Sequence, residues 1–184
     1  ERNKTPKLIL SFHNFEYSLY LNFETDTEME ISYSTPKAAL KTARILSMAL
    51  IGGIVLFNAV VFFVLLKDAV FIVDPGDIFF TVIIALSAAS FPAGFIAFRM
   101  MTAKITREKK IKQRFAEYQT ALIVRLALFE GVGLFSTVIT LVSQNIFYSL
   151  FTALSLLLMA GSYPQLMKLR DILKMSQEEY ELFI

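Results

Sequence analysis

The sequence has no cysteine, a single histidine and, over long stretches, no charge at all. Without cysteine there is neither a disulfide nor a thiolate metal site, and nothing marks an oxidising or a reducing compartment. His13 alone is no basis for a histidine-rich metal site. A net charge of +2 gives no reason to expect a nucleic-acid partner. No nucleophile–base pair, metal-ligand cluster or phosphate-cradling glycine loop is present, so the sequence predicts no catalytic residue, no cofactor and no metal. Internal repeats and low-complexity tracts are also missing. The chain opens on Glu1 rather than Met, and no stretch reads as a signal peptide.

What is there is apolar. Hydrophobic residues make up 55% of the 184, 18 of them Phe, and the mean hydropathy is +0.57. A soluble domain of this size cannot hide so much apolar material. The apolar residues also fall in uncharged runs, and a crossing of about 30 Å of hydrocarbon needs roughly 20 of them. Ile45–Leu66 and Ile78–Phe98 qualify. The uncharged stretch from Gly131 to Met167 is too long for one crossing, and Ser143-Gln144-Asn145 is its natural break. A third span is therefore expected near Thr120–Val142 and a fourth near Ile146–Met167, closed as a tight antiparallel hairpin. The predicted fold class is an all-α membrane protein: a four-transmembrane-helix bundle with a small N-terminal cytoplasmic β-hairpin.

Lys and Arg orient the spans. Lys37, Lys41 and Arg44 precede the first, seven basic residues from Arg99 to Arg114 separate the second and third, and Lys168, Arg170 and Lys174 follow the fourth. The two remaining loops hold only Lys67, beside Asp68, Asp74 and Asp77. With four crossings every basic segment falls on one side, which predicts cytoplasmic N- and C-termini. Asp74 and Asp77 sit in a Val-Asp-Pro-Gly-Asp turn, where two carboxylates are usually just solvated.

Before the first span, Phe15, Tyr17, Leu19, Leu21 and Phe23 alternate with more polar residues, and Met29, Ile31 and Tyr33 resume the alternation after Glu24-Thr25-Asp26-Thr27. That period of two predicts a β-hairpin within residues 1–36, ended by Pro36. Thr106–Tyr118 is helical in propensity and is expected to run on into the third span. Its Arg107, Lys109, Lys110, Lys112 and Arg114 suit an anionic-lipid or partner contact, but a topology signal on a solvated helix is the preferred reading. The tail from residue 176 to 184 carries Glu178, Glu179 and Glu181, which either pair with that basic loop or fray.

Glu130 is the residue most worth explaining. Near the centre of the third span a charge costs about 2.5 kcal/mol or more. An intramembrane carboxyl is accordingly a candidate ion or proton site, or else a buried acid that holds helices in register. Ala127, Gly133, Leu134 and Thr137 lie on roughly its face, and three of them are small, so the expectation is that Glu130 faces protein. Arg125 lies about 7.5 Å along the helix and about 140° around it. It does not face Glu130 within the helix, and it is expected to reach towards the cytoplasmic interface. In the fourth span Tyr148, Thr152, Ser155, Met159 and Ser162 recur at spacings that make one stripe, either helix–helix glue or the lining of a narrow polar path. Ser87, Ser90 and Gly94 form a similar small face beside Pro92, and Asn58 adds a polar group in the first span.

The stretch Arg125-Leu126-Ala127-Leu128-Phe129-Glu130-Gly131-Val132-Gly133-Leu134-Phe135 resembles the second helix of the proteolipid ring subunit of rotary ATP synthases. The resemblance spans at most residues 85–142 and implies that Glu130 carries a translocated ion at mid-membrane. Where the family's preceding helix repeats Gly-x-Gly, this chain has Ser87, Ser90, Pro92 and Gly94, and its loop is longer and more charged.

Two functions follow as expectations. One is a small non-catalytic membrane subunit of a larger complex, partnered by the lipid bilayer and by other subunits or copies of itself. The other is an ion- or proton-translocating protein in which Glu130 titrates.

Overall fold

The structure, a computed structural model, describes residues 35–65 and 69–184. The hairpin predicted between Phe15 and Tyr33 lies outside them. Among the described residues every regular element is helical and there is no strand.

Helix α1 (Pro36–Leu65) starts where its sequence dictates. Pro36 takes the first helical position, where its missing N–H costs nothing, and the Thr35 hydroxyl accepts from the Ala38 N–H at 3.2 Å. Helix α2 (Ile78–Ala103) is capped by Asp77, whose carboxylate accepts from the Phe79 N–H at 3.0 Å. Helix α3 (Ile111–Ser143) is a single rod of 33 residues, about 50 Å long. It begins at Ile111, after Thr106–Lys110 has formed turns, and it exceeds a bilayer's hydrocarbon thickness of about 30 Å.

These three helices are long and apolar enough to cross a membrane, and a fourth crossing exists if the bent C-terminal pair counts as one. This is the architecture of a multi-pass membrane protein. Much of its outer surface is apolar: Phe63 is 82% exposed and Leu56 and Val64 are nearly as open. Such a surface is at home in lipid rather than in water.

The last expected span is not one continuous helix. A 3-10 turn (Ile146–Tyr148) leads into α4 (Ser149–Gly161), whose 13 residues reach only about 20 Å. The chain breaks before Pro164, which has no N–H to continue the ladder, and the Pro164 carbonyl accepts from Arg44 Nε at 3.3 Å. Helix α5 (Leu166–Ile172) then leaves at 71°. The short α6 (Gln177–Glu181) follows, closed by a capping box between Ser176 and Glu179.

Helix α3 is the hub, packing on α1, α2 and α4. At one end, Ser143-Gln144-Asn145 turns the chain, with Gln144 left-handed at φ 55°. Asn145 stitches this turn to the loop before α2. Its amide donates to the Ile72 carbonyl at 2.7 Å and accepts from the Ile72 N–H at 3.2 Å. Val70 and Ile146 add main-chain bonds across the same seam. At the opposite end the three basic segments meet. Lys174 Nζ donates to the Ile105 carbonyl at 2.8 Å, Arg44 reaches Pro164, and Lys37 Nζ donates to the Ile184 carbonyl at 2.5 Å.

Candidate functional site

Polar groups inside an apolar bundle must find partners or remain costly, so each was traced to its contacts. On the inner side of α3 they are matched. Ser136 and Thr152 share a hydrogen bond of 2.5 Å, and Thr137 and Thr152 one of 3.0 Å. The Gly133 carbonyl lies within hydrogen-bond distance of all three hydroxyls, at 3.3, 2.9 and 3.2 Å for Ser136, Thr137 and Thr152, so their three protons are shared between this acceptor and one another. Ser155 donates to the Phe129 carbonyl, and Thr137 reaches Asn58 Oδ1 at 3.5 Å.

These hydroxyls are inaccessible, and Gly133 is what lets α4 come close enough to use them. A Cβ at Gly133 would lie 2.9 Å from Ser155 Oγ and 3.2 Å from Ile54 Cδ1. Cross-helix hydroxyl bonds in membranes average about 0.6 kcal/mol, so the cluster contributes about 2 kcal/mol to α3–α4 packing. Every donor in it is used within the chain, which makes it a helix joint. It has no accessible surface with which to line a hydrated path.

All five residues of the expected stripe are buried, and their polar groups go to different partners. Thr152, Ser155 and Met159 are buried against α3. Tyr148 precedes α4 in the 3-10 turn, where it is buried and donates to the Asp77 carboxylate at the end away from the basic loop. Ser162 is the C-cap of α4 and bonds back to the Leu158 carbonyl at 2.7 Å. Asp77, read from sequence as solvated, thus both caps α2 and receives Tyr148. Asp74 accepts from the Gly76 N–H at 2.8 Å. Among the described residues no three His, Cys, Asp or Glu side chains gather as metal ligands would.

Glu130 is the contrasting case. The face that sequence assigned to it divides in the structure: Gly133 and Thr137 turn into the bundle, whereas Ala127 is exposed and Leu134 half-buried. Glu130 sits at the border, half-buried, with no hydrogen bond or salt bridge to any described residue. On the same outward side Gly131 has open space where a side chain would begin. It lines an apolar groove of about 360 Å³ with Val82, Leu86, Ser90, Ala127 and Phe135.

Arg125 is not paired with Glu130. Its guanidinium lies over three rings, 4.6 Å from the centroid of Phe95, 5.0 Å from Phe98 and 5.6 Å from Phe129. Such contacts contribute about 0.5–2 kcal/mol each. Gly94 makes room for the Phe129 wall, since a Cβ there would lie 2.6 Å from the ring edge.

Of the five basic residues singled out in the loop, Arg107, Lys110 and Lys112 are exposed and Lys109 pairs with Glu117. Arg114 turns inward. It is 3% exposed and donates to the Leu173 carbonyl at 2.6 Å, to the Lys174 carbonyl at 3.3 Å and to the Glu179 carboxylate. Phe183 packs on Phe115 beside it. The tail is therefore folded against the start of α3.

Sequence reasoning missed Ser136, Asn145 and the acceptor role of Asp77. Ser136 had a signal: it sits beside Thr137 on the α3 side that packs on α4. The chain matches no family model, no curated protein and no solved structure.

Proposed function

We propose that this chain is a small non-catalytic membrane subunit whose α3 outer face docks a transmembrane helix of another subunit or of a second copy. The observation that carries the reading is Glu130, a half-buried carboxyl in the apolar stretch of α3 after Arg125, without a partner among the described residues while the inner hydroxyls of α3 are satisfied. A carboxyl at that depth is costly unless a neighbour supplies a donor, and among the described residues none does. Open space at Gly131 allows a second helix to approach closely.

In this reading the chain crosses the bilayer four times with both ends on the cytoplasmic side. The meeting of the three basic segments at one end supports that topology, because cytoplasmic loops collect Lys and Arg.

The experiment is extraction in a mild detergent, followed by native mass measurement with identification of every chain present. The expected result is an assembly larger than the 20.9 kDa chain. Glu130→Gln keeps it intact and Glu130→Leu dissociates it. A lone wild-type chain contradicts the proposal.

The second reading, ion or proton translocation, is favoured by one observation. Glu130 opens to the outside of the bundle, where a carrier carboxyl handed between chains has to stand. It is tested by flux into vesicles, which Glu130→Gln abolishes under this reading and leaves unchanged under the first.

A further inference from the structure

Arg125 is the only charged side chain on α3 between Glu117 and Glu130. Three phenylalanine rings wall in its guanidinium, and none of them supplies an oxygen or nitrogen acceptor for its N–H groups. Its Nε is buried without an acceptor, and the side chain makes no salt bridge among the described residues. The residue as a whole is only half-buried, so the tip of the guanidinium reaches the surface.

Its depth is set by α2. Phe98 is the last residue of the uncharged run, and Arg99 follows it, exposed and one helical turn from Phe95 on the same face. Arg125 therefore lies against Phe95 and Phe98 near the level where hydrocarbon gives way to headgroups. A held, planar guanidinium with free in-plane donors matches an anion offering two oxygens, which is the geometry of a phosphate.

We propose that Arg125 is a binding site for the phosphate of an anionic phospholipid. The inference rests on the bilayer-spanning architecture alone and is independent of what docks at Glu130. The site differs from the exposed Arg107, Lys110 and Lys112, which can attract an anionic surface diffusely but have no walls to hold one headgroup. At Arg125 the aromatic cage walls in the guanidinium, so the lipid survives extraction.

The test is native mass spectrometry of the full chain extracted in mild detergent and exchanged into micelles with equal phosphatidylglycerol and phosphatidylcholine. The expected result is retained phosphatidylglycerol, preferred roughly fivefold over phosphatidylcholine. Arg125→Met loses that preference. Arg125→Lys, which keeps the charge without the planar fork, retains part of it and shows that loss in the first variant is not misfolding. Replacing Arg107, Lys110 and Lys112 together with Gln leaves the preference in place. Wild-type protein without bound phospholipid, or Arg125→Met as selective as wild type, overturns the site. Displacement of the lipid by millimolar inorganic phosphate overturns the assignment to a membrane lipid.

Discussion

The two sides of α3 obey opposite rules. On the inner side several polar groups have partners from other parts of the chain: Thr152 for Ser136 and Thr137, the Phe129 carbonyl for Ser155, and Glu179 with two carbonyls for Arg114. On the outer side Glu130 has none among the described residues, Gly131 has nothing above it, and Gly131 lines an apolar groove with residues of α2 and α3. Helix α3 thus completes its own fold on one side and leaves a carboxyl unmatched on the other. A carboxyl left unmatched next to a satisfied hydroxyl cluster points outward, to a contact made between molecules.

The comparison is tested most severely at Arg114. Removing it as Arg114→Ala strands Glu179 and two carbonyls and is expected to cost on the order of 3 kcal/mol. The tail beyond Pro164 should then be cleaved far faster by a protease added at the basic end. Unchanged cleavage would mean that the tail is held by something else.

The two glycines come next. Gly133→Ala places a methyl group 2.9 Å from Ser155 Oγ and is expected to cost about 2 kcal/mol through overpacking. Gly131→Ala meets open space and should be neutral or stabilise by up to about 1 kcal/mol through helix propensity. Thermal unfolding in detergent separates them, and equal effects would erase the distinction between the two sides. A smaller loss, about 1 kcal/mol, is expected for Thr152→Val, which removes the hub of the hydroxyl joint. Smallest of all is Glu130→Gln, expected to leave the unfolding free energy of the isolated chain within about 0.5 kcal/mol of wild type.

Much of the helical frame is legible in the sequence because the bilayer imposes a simple rule, the absence of charge over a fixed length. Ile78–Phe98 begins and ends at charged residues, and α2 begins there too. Where local chemistry competes with that rule, legibility fails. Ile146–Met167 is apolar enough to span, but Pro164 and the contact of its carbonyl with Arg44 break the helix at Gly161. Tyr148 has the right spacing for the stripe, yet it lies in a 3-10 turn and its hydroxyl goes to Asp77.

The site was partly legible for a similar reason. Periodicity puts Thr152 and Ser155 on one face, and it puts Gly133 and Thr137 near Glu130. It cannot say where along that face the neighbouring helix stops, because that depends on how α1 and α4 are placed. Arg114 and Arg125 look alike as basic residues on one helix. Only the fold sends the first to a carboxylate and the second to three aromatic rings.

The central claim is that the outer side of α3 is a contact between molecules, and native mass measurement of wild type beside Glu130→Leu in mild detergent tests it most directly. The account expects wild type in a larger assembly and Glu130→Leu as a folded single chain with an unchanged unfolding temperature. A wild-type chain that is already alone, or a Glu130→Leu chain that stays in the assembly, would contradict it.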